Sequence, residues 1–181
     1  MGRIARRLIA ALLLAVAAAP AGATDWAWNG LRWGMTQGDA MEALAAARRA
    51  YPQQFVEQAD PSADHGAGWG DPRYSGYRLA VPNCSLNILL AIEDPAPPPK
   101  ATGLIEIALT PPMATYLSDA GQQPCLRTLI VLLTARYGAA DLAGASAMQW
   151  FRPGVTVELS HPKGEPLTLT YQTTRGLPDL F

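Results

Sequence analysis

Pro124-Cys125-Leu126-Arg127-Thr128-Leu129-Ile130-Val131-Leu132-Leu133-Thr134-Ala135-Arg136-Tyr137-Gly138 is the stretch that decides the fold. Its apolar positions Leu126, Leu129, Ile130, Leu133 and Tyr137 recur every three or four residues, which places them along one side of an α-helix. Pro124 suits a first turn, where its missing N–H costs little, and Gly138 stands where a helix ends on a left-handed residue. Val131 and Leu132 widen the stripe, so of the chain's two expected helices this one should be the more buried. Beyond it the period changes to two. Met148 and Trp150 lead through Arg152-Pro153-Gly154 into Val155, Val157 and Leu159; a last run sets Leu167, Leu169 and Tyr171 inward against Thr168, Thr170 and Gln172 outward. Such alternation predicts antiparallel strands with one covered face.

The same order occurs upstream. Thr36 is placed to cap a helix by accepting the Asp39 N–H, and Ala40, Met41, Leu44 and Ala47 form an apolar stripe that ends at Tyr51, before Pro52. Three alternating runs follow: Tyr77, Leu79 and Val81; Leu86, Ile88, Leu90 and Ile92; Ile105, Ile107 and Leu109. The prolines of Pro95-Ala96-Pro97-Pro98-Pro99 lack donors, so the segment between the last two runs reads as a connector. The first helix closes on Arg49-Ala50-Tyr51 and the second on Ala135-Arg136-Tyr137, as expected of an internal duplication. The predicted fold class is α+β, two tandem helix-plus-antiparallel-strand modules packed as one compact unit. One helix per half covers a sheet best when both halves share it. The expected boundaries are residues 1–23 for a signal peptide, 24–115 for the first module and 116–181 for the second.

The signal is read from Arg3, Arg6 and Arg7, the apolar stretch Leu8 to Ala19, and the small residues Ala21, Gly22 and Ala23. The apolar stretch is too short to span a bilayer, and Pro20 and Gly22 interrupt it. Cleavage near Ala23 would leave a chain with no transmembrane segment in the periplasm or outside the cell. In an oxidising compartment Cys84 and Cys125 are expected to pair, tying a first-module strand to the start of the second helix. Across all 181 residues 14 basic side chains face 15 acidic ones; without the leader's three arginines the balance turns acidic. Nucleic acid is therefore an unsuitable partner, because counterion release needs clustered Lys and Arg.

No Gly-rich phosphate loop, GxSxG elbow or HExxH pair occurs. Glu93 and Asp94 are neighbours in an extended run and point to opposite faces, unlike a paired acid and base. No cofactor is expected. His65 with Asp60 and Asp64 carries the alternative reading, a periplasmic hydrolase or metal-handling protein. Residues 59–76 form an irregular Gly- and Pro-rich segment that reads either as a functional loop or as a connector whose Trp69 tucks back onto the sheet. Of the five tryptophans, Trp33 and Trp150 suit a core. Trp26 and Trp28, alternating about Ala27, either line a strand or lie on a partner; with Trp69 and Tyr74 they are the candidate binding residues.

The run Trp28-Asn29-Gly30-Leu31-Arg32-Trp33-Gly34-Met35-Thr36, followed by Ala40 and Leu44, resembles the opening of helix-then-sheet modules in small exported bacterial proteins. Among these are the outer-membrane assembly lipoproteins of the SmpA/OmlA type and the tandem modules of β-lactamase inhibitor protein. Tyr137-Gly138 followed by Trp150 is similar to their second-module pattern. No lipid-attachment Cys follows the leader, and Tyr51-Pro52 stands in place of a Gly-containing helix exit. The resemblance implies a non-catalytic binding or assembly module whose partner is a protein or another envelope component.

Overall fold

The computed structural model describes residues 27–57, 73–93, 103–112 and 119–174. A short hairpin comes first, β1 (Ala27–Trp28) and β2 (Leu31–Arg32), then helix α1 (Gln37–Ala50) and strands β3 (Phe55–Glu57), β4 (Arg73–Val81), β5 (Cys84–Glu93) and β6 (Gly103–Thr110). Helix α2 (Asp119–Tyr137) precedes β7 (Leu142–Ala143), β8 (Ala147–Arg152), β9 (Val155–Ser160) and β10 (Thr168–Thr173). The last eight strands make one sheet in the order β3-β4-β5-β6-β10-β9-β8-β7, every neighbour antiparallel. The fold is thus α+β, in two halves that each run from a helix into a four-stranded meander. Each meander ends in the middle of the sheet, where β6 pairs with β10 through Ile107↔Tyr171 and Leu109↔Leu169.

The halves match in detail. The β4–β5 turn is Pro82-Asn83 and the β8–β9 turn is Pro153-Gly154; in each, Pro precedes a residue of positive φ, +62° at Asn83 and +78° at Gly154. That sequence is favoured by a type II turn. Both helices cover one face. Ala40, Leu44 and Ala47 of α1 and Cys125, Leu129 and Leu133 of α2 join Leu86, Ile88, Leu90, Ile107, Leu109, Val157 and Leu169 in a single core. The inward run Leu167, Leu169 and Tyr171 is buried as its alternation predicts.

Each helix is fastened at its start to both halves. At α1, Gly34 N–H donates to the Leu104 carbonyl (2.9 Å) and Leu104 N–H to the Met35 carbonyl (2.8 Å), within its own half; the Trp33 indole N–H donates to Gly154 O (2.9 Å) in the other. At α2, Leu167 N–H donates to Gln122 Oε1 (2.5 Å) within its own half, and a Cys84–Cys125 disulfide with Cα atoms 4.9 Å apart reaches into the other. The disulfide is the expected one. Thr36 also caps α1 as expected, accepting the Asp39 N–H at 3.2 Å while its hydroxyl donates to Asp39 Oδ2 at 2.7 Å.

Three details differ from the sequence reading. Helix α2 begins at Asp119 rather than near Pro124, so the proline lies inside the helix. The anchoring of buried Gln122 against Leu167 and Glu165 holds the earlier turn in place despite the lost Pro N–H. Val131 is 63% exposed; it lies about 200° around the helix from both Leu129 and Leu133 and cannot share their side. In β6 the inward place expected for Ile105 belongs to Leu104, because the register slips between Ala91↔Glu106 and Ile92↔Leu104. Of the two readings of Trp28, the strand holds: it lies in a hairpin closed by Asn29-Gly30, with φ +50° and +89°.

Candidate binding surfaces

The sheet leaves two surfaces from which a site can be built. Away from the helices, register aligns side chains into rows. One row reads Leu89, Ala108, Thr170, Glu158, Gln149 and Leu142; the next reads Ala91, Glu106, Gln172, Thr156 and Phe151. The carboxylates in these rows are engaged by their cross-strand neighbours: Gln149 Nε2 donates to Glu158 at 2.5 Å and Gln172 Nε2 to Glu106 at 2.7 Å. Phe151 and Val56 are each 48% exposed, large apolar side chains on strands that otherwise bury theirs. This face is mostly small, hydroxyl-bearing or amide-bearing.

On the helix side a cavity of about 70 Å³ lies between the β1–β2 hairpin and α2. Trp28, Leu109, Leu129, Leu133 and Leu169 supply apolar wall; Asn29, Gln54 and Arg136 supply polar groups. Trp28 is 5% exposed, its ring centroid 6.2 Å from that of Phe55 and 6.0 Å from that of Tyr171. Burial, with the Tyr137 phenol beside it, pushes the Tyr171 hydroxyl well above its usual range, and burial raises Tyr137 too. Both phenols stay neutral.

At the end of α2 the guanidinium carbons of Arg136 and Arg152 lie 5.1 and 5.9 Å from the centroid of the Tyr137 ring. Arg152 donates to Asp141 Oδ2 at 2.7 Å and also to the Tyr137 carbonyl; the Trp150 indole donates to Gly138 O at 3.1 Å. Asp141 also accepts the Phe151 N–H (2.7 Å). That backbone bond, then the Arg152 contact, holds the Asp141 carboxyl below the ordinary aspartate range.

Comparison with family models, curated proteins and solved structures finds no match. The site is therefore read from its own geometry. Of the candidate residues, Trp28 is inside the core and meets space only as a wall of the cavity. Tyr74 lies on β4, its backbone in register with Leu89. Trp26 and Trp69 lie outside the described residues, as do Asp60, Asp64, His65, the Pro95–Pro99 connector and the leader. Sequence reasoning passed over Phe151 and Arg136. Phe151 was legible as the residue between inward Trp150 and the Arg152-Pro153 turn, whereas nothing in the sequence signals that Arg136 borders a cavity. Among the described residues no three His, Cys, Asp or Glu side chains converge as a metal group, and no helix is long and apolar enough to cross a membrane.

Proposed function

We propose that the chain is an exported, non-catalytic binding or assembly module of the bacterial envelope, periplasmic or secreted, which holds a protein or envelope partner against the sheet face opposite its helices. The observation that carries this reading is half-exposed Phe151 on that face, beside cross-strand rows whose carboxylates are already hydrogen-bonded. An apolar anchor beside carboxylates fixed by cross-strand hydrogen bonds suits association, since a partner can bury the anchor while those charges stay hydrated at the rim. The leader and the resemblance to envelope modules support the location.

The test is a quantitative pull-down from bacterial envelope extract with the wild-type chain and a Phe151→Asp, Thr170→Lys double variant. Loss of specific partners from the folded variant is expected; identical partner sets would overturn the sheet-face reading. Stoichiometric metal in the purified chain, or a turnover abolished by His65→Ala, would overturn its non-catalytic half.

A further inference from the structure

We propose that the helix-side cavity receives the C-terminal residue of a peptide, with an aliphatic side chain among the leucines and the terminal carboxylate on Arg136. This site lies across the sheet from the surface argued above, so either reading can fail without the other.

Size gives the first constraint. At about 70 Å³ the cavity is roughly half the ~150 Å³ that admits benzene in an engineered apolar site, so it suits one branched aliphatic side chain. Charge gives the second. Arg136 is the one charged residue in the lining, which contains no carboxylate. Its guanidinium lies over the Tyr137 ring, while the ion pairs found among the described residues are Arg48–Glu57 and Arg152–Asp141.

An arginine in the last turn of a helix ordinarily complements the terminal carbonyls. Here that role is filled elsewhere: Arg152 donates to the Tyr137 carbonyl and Trp150 to that of Gly138. Arg136 instead leans on Tyr137, which its side chain also hydrogen-bonds, and since both phenols are neutral and the lining holds no carboxylate its charge can still meet an anion. Asn29 and Gln54, also in the lining, bring carboxamides that can both donate and accept, as the N–H and C=O of a final peptide unit require. A chain end carries all three complements together: an anion, a peptide unit and an apolar side chain.

The purified chain is titrated with the tetrapeptide Ala-Ala-Ala-Leu as free acid and as C-terminal amide, following the Trp28 indole and Arg136 side-chain signals by NMR. The free acid should shift both, and the amide should bind about tenfold or more weakly, as loss of a hydrogen bond to a charged partner implies. Arg136→Gln should lower affinity for the acid to that for the amide, with Arg136→Lys in between; Leu132→Phe, which intrudes on the cavity, should weaken both peptides. Equal binding of acid and amide would overturn the proposal, as would no shift of these signals at about 1 mM peptide. Binding of 4-methylpentanoate as tight as that of the peptide would also overturn it, because the carboxamides would then read no peptide unit. Should Arg136→Gln fail to fold, the comparison of acid with amide on the wild-type chain still decides.

Discussion

Gly103 shows how one missing carbon sets a contact. It adopts φ +92°, and a Cβ there would stand 2.4 Å from the carbonyl oxygen of Gly34 and 2.8 Å from that of Met35. Both neighbours are backbone, so neither can swing aside. Gly103→Ala is expected to cost about 3 kcal/mol, left-handed strain and overpacking together, by urea denaturation. Gly164→Ala, also at positive φ but with nothing within 4 Å, should cost only about 1 kcal/mol. Asp141 gives a test in pH. Its folded-state value lies below the ordinary 3.8, so the stabilisation it adds is complete above that pH and lost as pH falls through the folded value. The melting temperature of the wild type should exceed that of Asp141→Asn near neutrality, the gap closing as pH drops below about 4. A gap that persists in acid would assign the effect to shape rather than charge. Little of this was legible beforehand: the glycine's partner lies about seventy residues away in the chain, and Asp141 stands in an Ala- and Gly-rich run with no neighbouring charge to mark it.

Among elements, α2 separates what periodicity can tell from what it cannot. The spacing of Leu129 and Leu133 correctly gives its buried side, and a count of apolar residues wrongly adds Val131. Leu133→Ala should destabilise by about 3 kcal/mol, while Val131→Ala should stay within about 0.5 kcal/mol; thermal and urea melts of both variants would check the contrast. The long strands could be read where burial alternates, as it does along β9 and β10 for six residues each. β3 and β7 could not, having three and two residues at the rims of the sheet, too few to show a period. The hairpin at Trp28 carried a clear signal in Asn29-Gly30, the favoured pair of a two-residue turn. Once the hairpin is recognised, Trp28 becomes a wall of the core rather than an exposed contact. The Ile105 misplacement came from a bulge, which shifts alternation by one residue and leaves no mark in composition.

At the scale of the molecule, the halves are joined by reciprocal fastenings, one covalent and one not. Opening the 41-residue Cys84–Cys125 link with a Cys84→Ser, Cys125→Ser variant should cost about 4 kcal/mol, read as a lower urea midpoint. Trp33→Phe, which keeps an aromatic side chain but loses the bond to Gly154 and part of the buried volume, should cost about 2 kcal/mol. Legibility was uneven here too: the repeated order of helix and strands was plain in the sequence, while nothing in it showed that the two meanders would join at β6 and β10. That join also sets a timetable. β10, drawn from Thr168–Thr173, lies next to the middle of the sheet. As the chain emerges from a ribosome or a membrane pore, N-terminus first, β6 has one open edge until those residues appear. The first half therefore waits, its sheet incomplete even after α2 has emerged, for a closing step that comes nearly last. A chain stopped before Thr168 loses the strand that joins its halves and is expected to aggregate, which light scattering of the truncated chain would show.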